Sequence, residues 1–175
     1  FGDSRFHCWK KDGHGWLNMV QAIEQSCDVY LYELAKRVGI KRIGEMAARF
    51  GFGETFNFGL PGENRGLIPT PAWKRKTFGQ AWHAGETLIT SIGQGFILCT
   101  PLQLAVMTCR LVNGGRSVSP RLLRNEVAKT LKAKSLQLNP QHLRTILKGM
   151  DKVVNGPHGT ARKVVNQDTK FQFGG

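Results

Sequence analysis

Apolar residues recur at helical spacing in five stretches of this chain, and Gly, Pro and Asn separate the stretches. Val20, Ile23 and Cys27 mark the first, with Asn18 in the position of a helix cap ahead of Met19 to Glu24. Val29 to Val38 makes the second; Asp28 is placed to cap it and Gly39 to close it. Ile40 to Phe50 predicts a third helix, with Ile43, Met46, Ala47 and Phe50 on one face and Gly51-Phe52-Gly53 as its stop. Residues 52–85 show little periodicity and read as a long loop region, of the kind that is functional or packed by its aromatics. Thr100-Pro101 then opens a fourth helix, with Thr as cap and Pro as first residue, running from Leu102 to about Val112 before Asn113-Gly114-Gly115. Asn139-Pro140 opens a fifth, from Gln141 to about Val154, whose apolar face is Leu143, Ile146, Leu147, Met150 and Val154. Gly156 ends it.

Extended structure is sparser. Residues 1–16 hold two short segments broken by Asp12-Gly13, with a Gly-His-Gly suited to a tight turn. Residues 116–138 mix short extended runs with Lys-rich polar sequence, Gly159-Thr160 opens a short helix, and Lys170 to Phe173 alternates like a strand. There is no internal repeat. The pattern predicts an α+β fold that is mostly helical, one helical layer flanked by strand fragments.

Composition narrows this picture. A chain of 175 residues can bury a single core, and 21 glycines imply many turns. No apolar run reaches the roughly 18 residues a membrane span needs, and Phe1-Gly2-Asp3 does not open a signal peptide. The net charge of +13 raises nucleic acid as a partner. Its distribution argues otherwise: residues 1–60 carry eight basic and seven acidic groups, residues 121–175 eleven and three, and no nucleic-acid motif accompanies them. A solvated basic face, suited to anionic headgroups or acidic wall polymer, fits better.

Cysteine usage separates two pairs. Cys99 and Cys109 lie in apolar runs and read as small buried hydrophobes. Cys8 and Cys27 flank polar, Gly-rich sequence with His14 between them. Thiolates and imidazole suit tetrahedral zinc, although this spacing matches no common finger; a Cys8–Cys27 disulfide and two free thiols stay open. Ser26 and Asp28, two apart between helices, match the Ser-x-Asn/Asp element of serine acyltransferases, and also suit simple caps for the helix that follows. Among the other histidines, His7 and His83 read as surface or packing residues and His142 as polar-face. His158, in Gly-Pro-His-Gly-Thr-Ala, reads either as a turn residue or as part of a cleft edge. Gly93-Gln94-Gly95 lacks the rest of a phosphate loop and reads as close backbone packing. Trp9, Trp16, Trp73 and Trp82 read as core, with sugar stacking as the alternative.

Six segments in fixed order carry a resemblance. They are Cys8 to Gly15, Gln25 to Tyr32, Gly51-Phe52-Gly53, Pro69 to Lys74, Gly93-Gln94-Gly95 with Thr100 to Gln103, and Gly156 to Ala161. Together they resemble the penicillin-binding protein 2 family of elongation transpeptidases, over nearly the whole chain. The resemblance implies the helical subdomain of the penicillin-binding protein transpeptidase and serine β-lactamase-like fold, with a partial sheet. Such enzymes carry Ser-x-x-Lys upstream of the Ser-x-Asp element and Lys-Ser/Thr-Gly downstream. Neither is present, so residues 1–175 are expected to be the part of a transpeptidase domain between the two, inactive without them. By resemblance, Ser26 takes a proton-relay role, and Asp28 stands where Asn often does and holds the lysine. Some members bind a structural zinc beside this loop, which implies Cys8, His14 and Cys27 as ligands and a fourth upstream of Phe1. The implied parent cross-links stem peptides through a serine acyl-enzyme and is acylated by β-lactams. Its implied partners are the elongation glycosyltransferase and the rod-shape scaffold, and its implied place is the periplasm, anchored in the inner membrane by an N-terminal segment. The alternatives are a non-catalytic, zinc-stabilised basic binding module and a β-lactamase-type hydrolase fragment.

Overall fold

The computed structural model describes residues 5–57, 59, 61–122, 133–164 and 174. Among these residues seven α-helices follow in order: α1 Met19–Glu24, α2 Asp28–Val38, α3 Ile40–Arg49, α4 Pro71–Phe78, α5 Ala84–Ser91, α6 Pro101–Val112 and α7 Pro140–Asn155, then a 3-10 turn at Arg162–Val164. Two units divide the chain, Phe1–Leu34 with Asn139–Gly175, and Ala35–Leu138.

In the first unit α1 packs on α7. Asn18 starts α1 with a reciprocal cap: its side chain accepts from Gln21 N, and the Gln21 side chain accepts from Asn18 N. Asn139 Oδ1 likewise accepts from Gln141 N at the start of α7. Gly149, buried in the middle of α7, lets the two helices approach. A Cβ there would lie 2.8 Å from Ile23 Cβ and Cδ1. Val154 is buried, and Leu143, Ile146, Leu147 and Met150 are half-buried, so the predicted apolar face of α7 is the packed one. After α7 the chain turns back through Gly156 and Gly159, where a Cβ would meet Glu24 Oε1 and Val153 O, each at 2.2 Å. The short helical turn falls at 162–164, just beyond the Gly159-Thr160 signal. The strand predicted at 170–173 lies outside the described residues.

The second unit holds α3 to α6. Two antiparallel bridges, Leu67 with Leu98 and Arg116 with Ser135, are the extended pairings among the described residues. The loop region predicted over 52–85 contains a helix, α4. Its start is written as plainly as that of α6: Thr70 accepts from Trp73 N and Pro71 is the first helical residue. Trp73 packs edge-on against Phe78 and Phe96 at centroid distances of 5.5 and 5.3 Å. Lys74 is 3% exposed and pairs with Glu86 at 2.5 Å. Gly95 has a positive φ and a Cβ there would stand 3.1 Å from Ile89 Cγ2, so close packing holds at Gly95; at Gly93 a Cβ would meet nothing within 4 Å, and that glycine answers to its positive φ alone. On α6 the buried positions are Gln103, Val106 and Arg110. Gln103 fixes two loop carbonyls, Glu54 O and Arg65 O, at 2.9 Å each. Arg110 reaches Arg49 O at 2.9 Å.

Two expectations need correction. Cys99 and Cys109 are exposed, not buried, because the inward stripe of α6 is 103–106–110 and Cys109 falls off it, while Cys99 precedes the helix. Trp9 and Trp16 are not core: they are 60% and 102% exposed, both in the loop ahead of α1.

Candidate functional site

The α1–α2 joint forces an unusual backbone. Cys27 N donates to Ala22 O and Ser26 N to Ile23 O, which tightens the end of α1 and leaves Ser26 at φ +48. A non-glycine residue there is uncommon and sits in such a turn at a cost. The result is an exposed Ser26 beside a buried Cys27.

Cys27, not Asp28, occupies the cap position of α2. Its carbonyl accepts from Leu31 N at 3.3 Å, and the backbone N–H groups of Tyr30 and Val29 favour its thiolate. Burial pushes the Cys27 thiol above its ordinary range, and the approach of Cys8 adds to that; the two N–H groups work the other way. Asp28 is the first residue of the helix, where its charge suits the N-terminal end of the dipole. Its Oδ2 accepts from Trp9 N at 3.0 Å. The expected capping role therefore belongs to the cysteine, and the carboxylate reaches across to the chain carrying Cys8.

The turn at residues 8–15 folds onto this joint. Gly13 N donates to Lys10 O at 3.0 Å, and Gly13 and Gly15 take positive φ. That hairpin-like turn brings His14 Nδ1 to 3.4 Å from Cys8 Sγ. The Trp9 ring stands edge-on to His14 at 5.4 Å, and its indole N–H donates to Ser26 O at 2.9 Å and Gln25 O at 3.2 Å. Burial lowers the His14 pKa below its ordinary value, with Lys10 in the same sense and Asp28 opposing.

Cys8, His14 and Cys27 thus converge, with their ligand atoms all within 4.8 Å of one another. Tetrahedral zinc, at about 2.3 Å from sulfur and about 2.0 Å from nitrogen, sets adjacent S and N atoms about 3.6 Å apart. The Cys8–His14 distance is already close to that edge. Both cysteines are free thiols. The donor set and its proximity fit the ion.

On the other side, Ser26 Oγ lies 3.2 Å from Thr160 Oγ1. Thr160 N donates to Glu24 O, and His158 N donates to Glu24 Oε1 at 3.1 Å. Glu24 is 2% exposed. The His158 side chain is exposed, so this residue serves through its backbone. His7, His83 and His142 are exposed as well. Trp9, Glu24 and Thr160 are the site residues that sequence reasoning missed. For Glu24 a signal existed: an acidic residue at the C-terminal end of a helix stands against its dipole and needs a reason to be there.

A model of the penicillin-binding protein transpeptidase domain matches residues 1–175. The peptidoglycan D,D-transpeptidase MrdA of Acinetobacter baumannii is 48% identical over 124 residues, 70% of this chain and 18% of that protein. Among solved structures, Pseudomonas aeruginosa PBP2 in complex with WCK 5153 is 40% identical with a TM-score of 0.84, covering 93% of this chain and 36% of that one. Helicobacter pylori PBP2, in its complex with MreC, is 35% identical with a TM-score of 0.88, covering 98% and 32%. The chain spans a fifth to about a third of the length of these relatives. With the match running along its whole length and the fold shared, this chain belongs to the penicillin-binding protein transpeptidase family.

Proposed function

We propose that residues 1–175 supply the Ser-x-Asp side of the active site of a peptidoglycan D,D-transpeptidase. The observation that carries this reading is the Ser26-Cys27-Asp28 loop: the family match covers it, its serine hydroxyl is exposed, and both flanks of that serine are held by hydrogen bonds. The family match favours this over a binding module or a β-lactamase-type hydrolase.

In the whole enzyme a serine elsewhere attacks the carbonyl of the terminal D-Ala-D-Ala bond of a stem peptide. The peptide C–N bond breaks, D-Ala leaves, and an amine of a neighbouring strand takes the acyl group. A β-lactam acylates the same nucleophile. The leaving amine needs a proton, and a positioned hydroxyl can pass one. Ser26 is the hydroxyl this chain offers. Residues 1–175 contain no Ser-x-x-Lys, so the pair that starts the reaction is not in them.

Cys8, His14 and Cys27 would hold a structural zinc, with a fourth ligand outside these three. Through those side chains it would supply a structural tie for the loop that carries Ser26 and Asp28. Asp28 and Trp9 orient the ligand-bearing turn around it. Among the described residues no helix is long and apolar enough to cross a membrane. We place the parent in the periplasm, anchored to the inner membrane by a segment outside residues 1–175. The H. pylori relative was solved with MreC. By that likeness the parent works with a rod-shape scaffold and, in our reading, with the elongation glycosyltransferase. Nucleic acid is not among its partners.

The test is acylation of the full-length protein by a fluorescent penicillin. Ser26→Ala should slow it by about 10²–10⁴-fold, the usual worth of one positioned proton-transfer group. A wild-type rate with an intact fold would remove the relay role.

A further inference from the structure

We infer that Thr160 is the positioning residue for the Ser26 hydroxyl, and that Glu24 sets Thr160 in place; this rests on the relay role proposed for Ser26. Ser26 is exposed and its hydroxyl is a free rotor unless a partner selects one orientation. The protein partner present is Thr160 Oγ1 at 3.2 Å, 134 residues away in sequence. Threonine is stiff about χ1, so once its backbone is fixed its hydroxyl has few places to go.

Glu24 fixes that backbone from two atoms. Its carbonyl accepts from Thr160 N at 3.3 Å, and its carboxylate oxygen Oε1 accepts from His158 N at 3.1 Å. A carboxylate that is 2% exposed at the C-terminal end of a helix is unfavourable twice over, by desolvation and by the dipole. Stability alone does not account for it. Satisfying the His158 N–H of the 156–160 turn does. The turn is built around this carboxylate. Gly156 has no room for a Cβ, which would sit 2.2 Å from Glu24 Oε1, and at Gly159 the backbone of Val153 closes the same space. Ala161 N, donating to Val153 O at 3.0 Å, locks the far side of the turn onto the end of α7. The helix that ends at Glu24 also leads, through Gln25, into Ser26. One residue thereby anchors both ends of the Ser26–Thr160 contact. Thr160 need not touch substrate; it selects which way the Ser26 hydroxyl points.

The experiment uses the full-length protein, with the second-order rate of acylation by a fluorescent penicillin as readout. Thr160→Val keeps the shape and deletes the hydroxyl. It should lower the rate about three- to tenfold, the size of one neutral hydrogen bond, with the melting temperature and zinc content unchanged. Thr160→Ser should restore most of the rate. In a Ser26→Ala background Thr160→Val should have no further effect, because the two act as one unit. Glu24→Gln keeps the size and one acceptor oxygen of the side chain, and should reproduce the Thr160→Val loss in part. A wild-type rate for Thr160→Val, or an undiminished effect without Ser26, overturns the inference. A silent Ser26→Ala overturns the relay reading and the Thr160 inference with it, whereas a slowed Ser26→Ala beside a wild-type rate for Thr160→Val overturns the Thr160 inference alone.

Discussion

Gly149 offers a sharp test of the geometry that holds the site together. It lies in the middle of α7, where alanine is the better helix former by about 0.5–1 kcal/mol. On helix propensity alone, Gly149→Ala should stabilise. The structure says otherwise. The new Cβ would stand 2.8 Å from Ile23 Cβ and Cδ1 and 3.0 Å from Cγ2. Carbon atoms rest near 3.5–4.0 Å, so relief needs about 0.7 Å of movement. Ile23 Cβ is bonded to the α1 backbone and cannot rotate aside, so the movement falls on α1 against α7. Overpacking of this kind costs about 1–3 kcal/mol. Against the propensity gain, a net loss of up to about 2.5 kcal/mol is expected. Gly44→Ala is the matched control. It too is mid-helix, in α3, but its one close neighbour is a methyl, Ile68 Cγ2 at 3.2 Å. It should be neutral or mildly stabilising. Urea unfolding measures both, read from the midpoint at constant slope. Gly149→Ala carries a second consequence. The α1–α7 pair sets the Ser26–Thr160 distance of 3.2 Å, and about 0.7 Å of separation would break that hydrogen bond. Acylation of the full-length protein should fall with stability. Equal stabilisation by both substitutions would refute the packing argument.

Further outcomes concern the metal. Full-length protein purified without chelator should carry one zinc by elemental analysis, and Cys27→Ser should lose it and lower the melting temperature as a chelator does; metal-free protein or a Cys8–Cys27 disulfide would end the zinc reading. Zinc affinity should rise with pH and vanish on acidification, about tenfold per pH unit for each thiol proton displaced, and burial of Cys27 extends the rise above the usual thiol range; isothermal titration from pH 6 to 9 checks the slope. Asp28→Ala should weaken zinc binding, because Asp28 holds the backbone next to Cys8; unchanged affinity would return it to a merely helical role. The 175-residue chain by itself should not be labelled by a fluorescent penicillin, and stoichiometric labelling would mean a nucleophile lies within it.

What the sequence determined by itself was local. The caps at Asn18, Thr100 and Asn139 sit within three residues of the donors they serve, so α1, α6 and α7 start where the pattern puts them. The same chemistry at Thr70-Pro71 marks α4, and was obscured by the aromatic and Gly-rich run around it. Cys8, His14 and Cys27 stood out in a polar, Gly-rich stretch, but by themselves they left a disulfide and free thiols open, and the zinc reading came from the family resemblance. Tertiary structure decided the rest. Whether those three meet depends on the Lys10–Gly13 turn and on Trp9 lying across the α1–α2 joint. That Asp28 reaches Trp9 instead of capping α2 depends on Cys27 arriving first at the helix end. The exposure of Cys109 on α6 could not be read from hydropathy, because the inward stripe was claimed by Gln103 and Arg110, which satisfy carbonyls of neighbouring segments. The Ser26–Thr160 contact joins residues 134 positions apart. No local period encodes it; it exists because a buried glutamate and a glycine in mid-helix let two helices and one turn close around the same point.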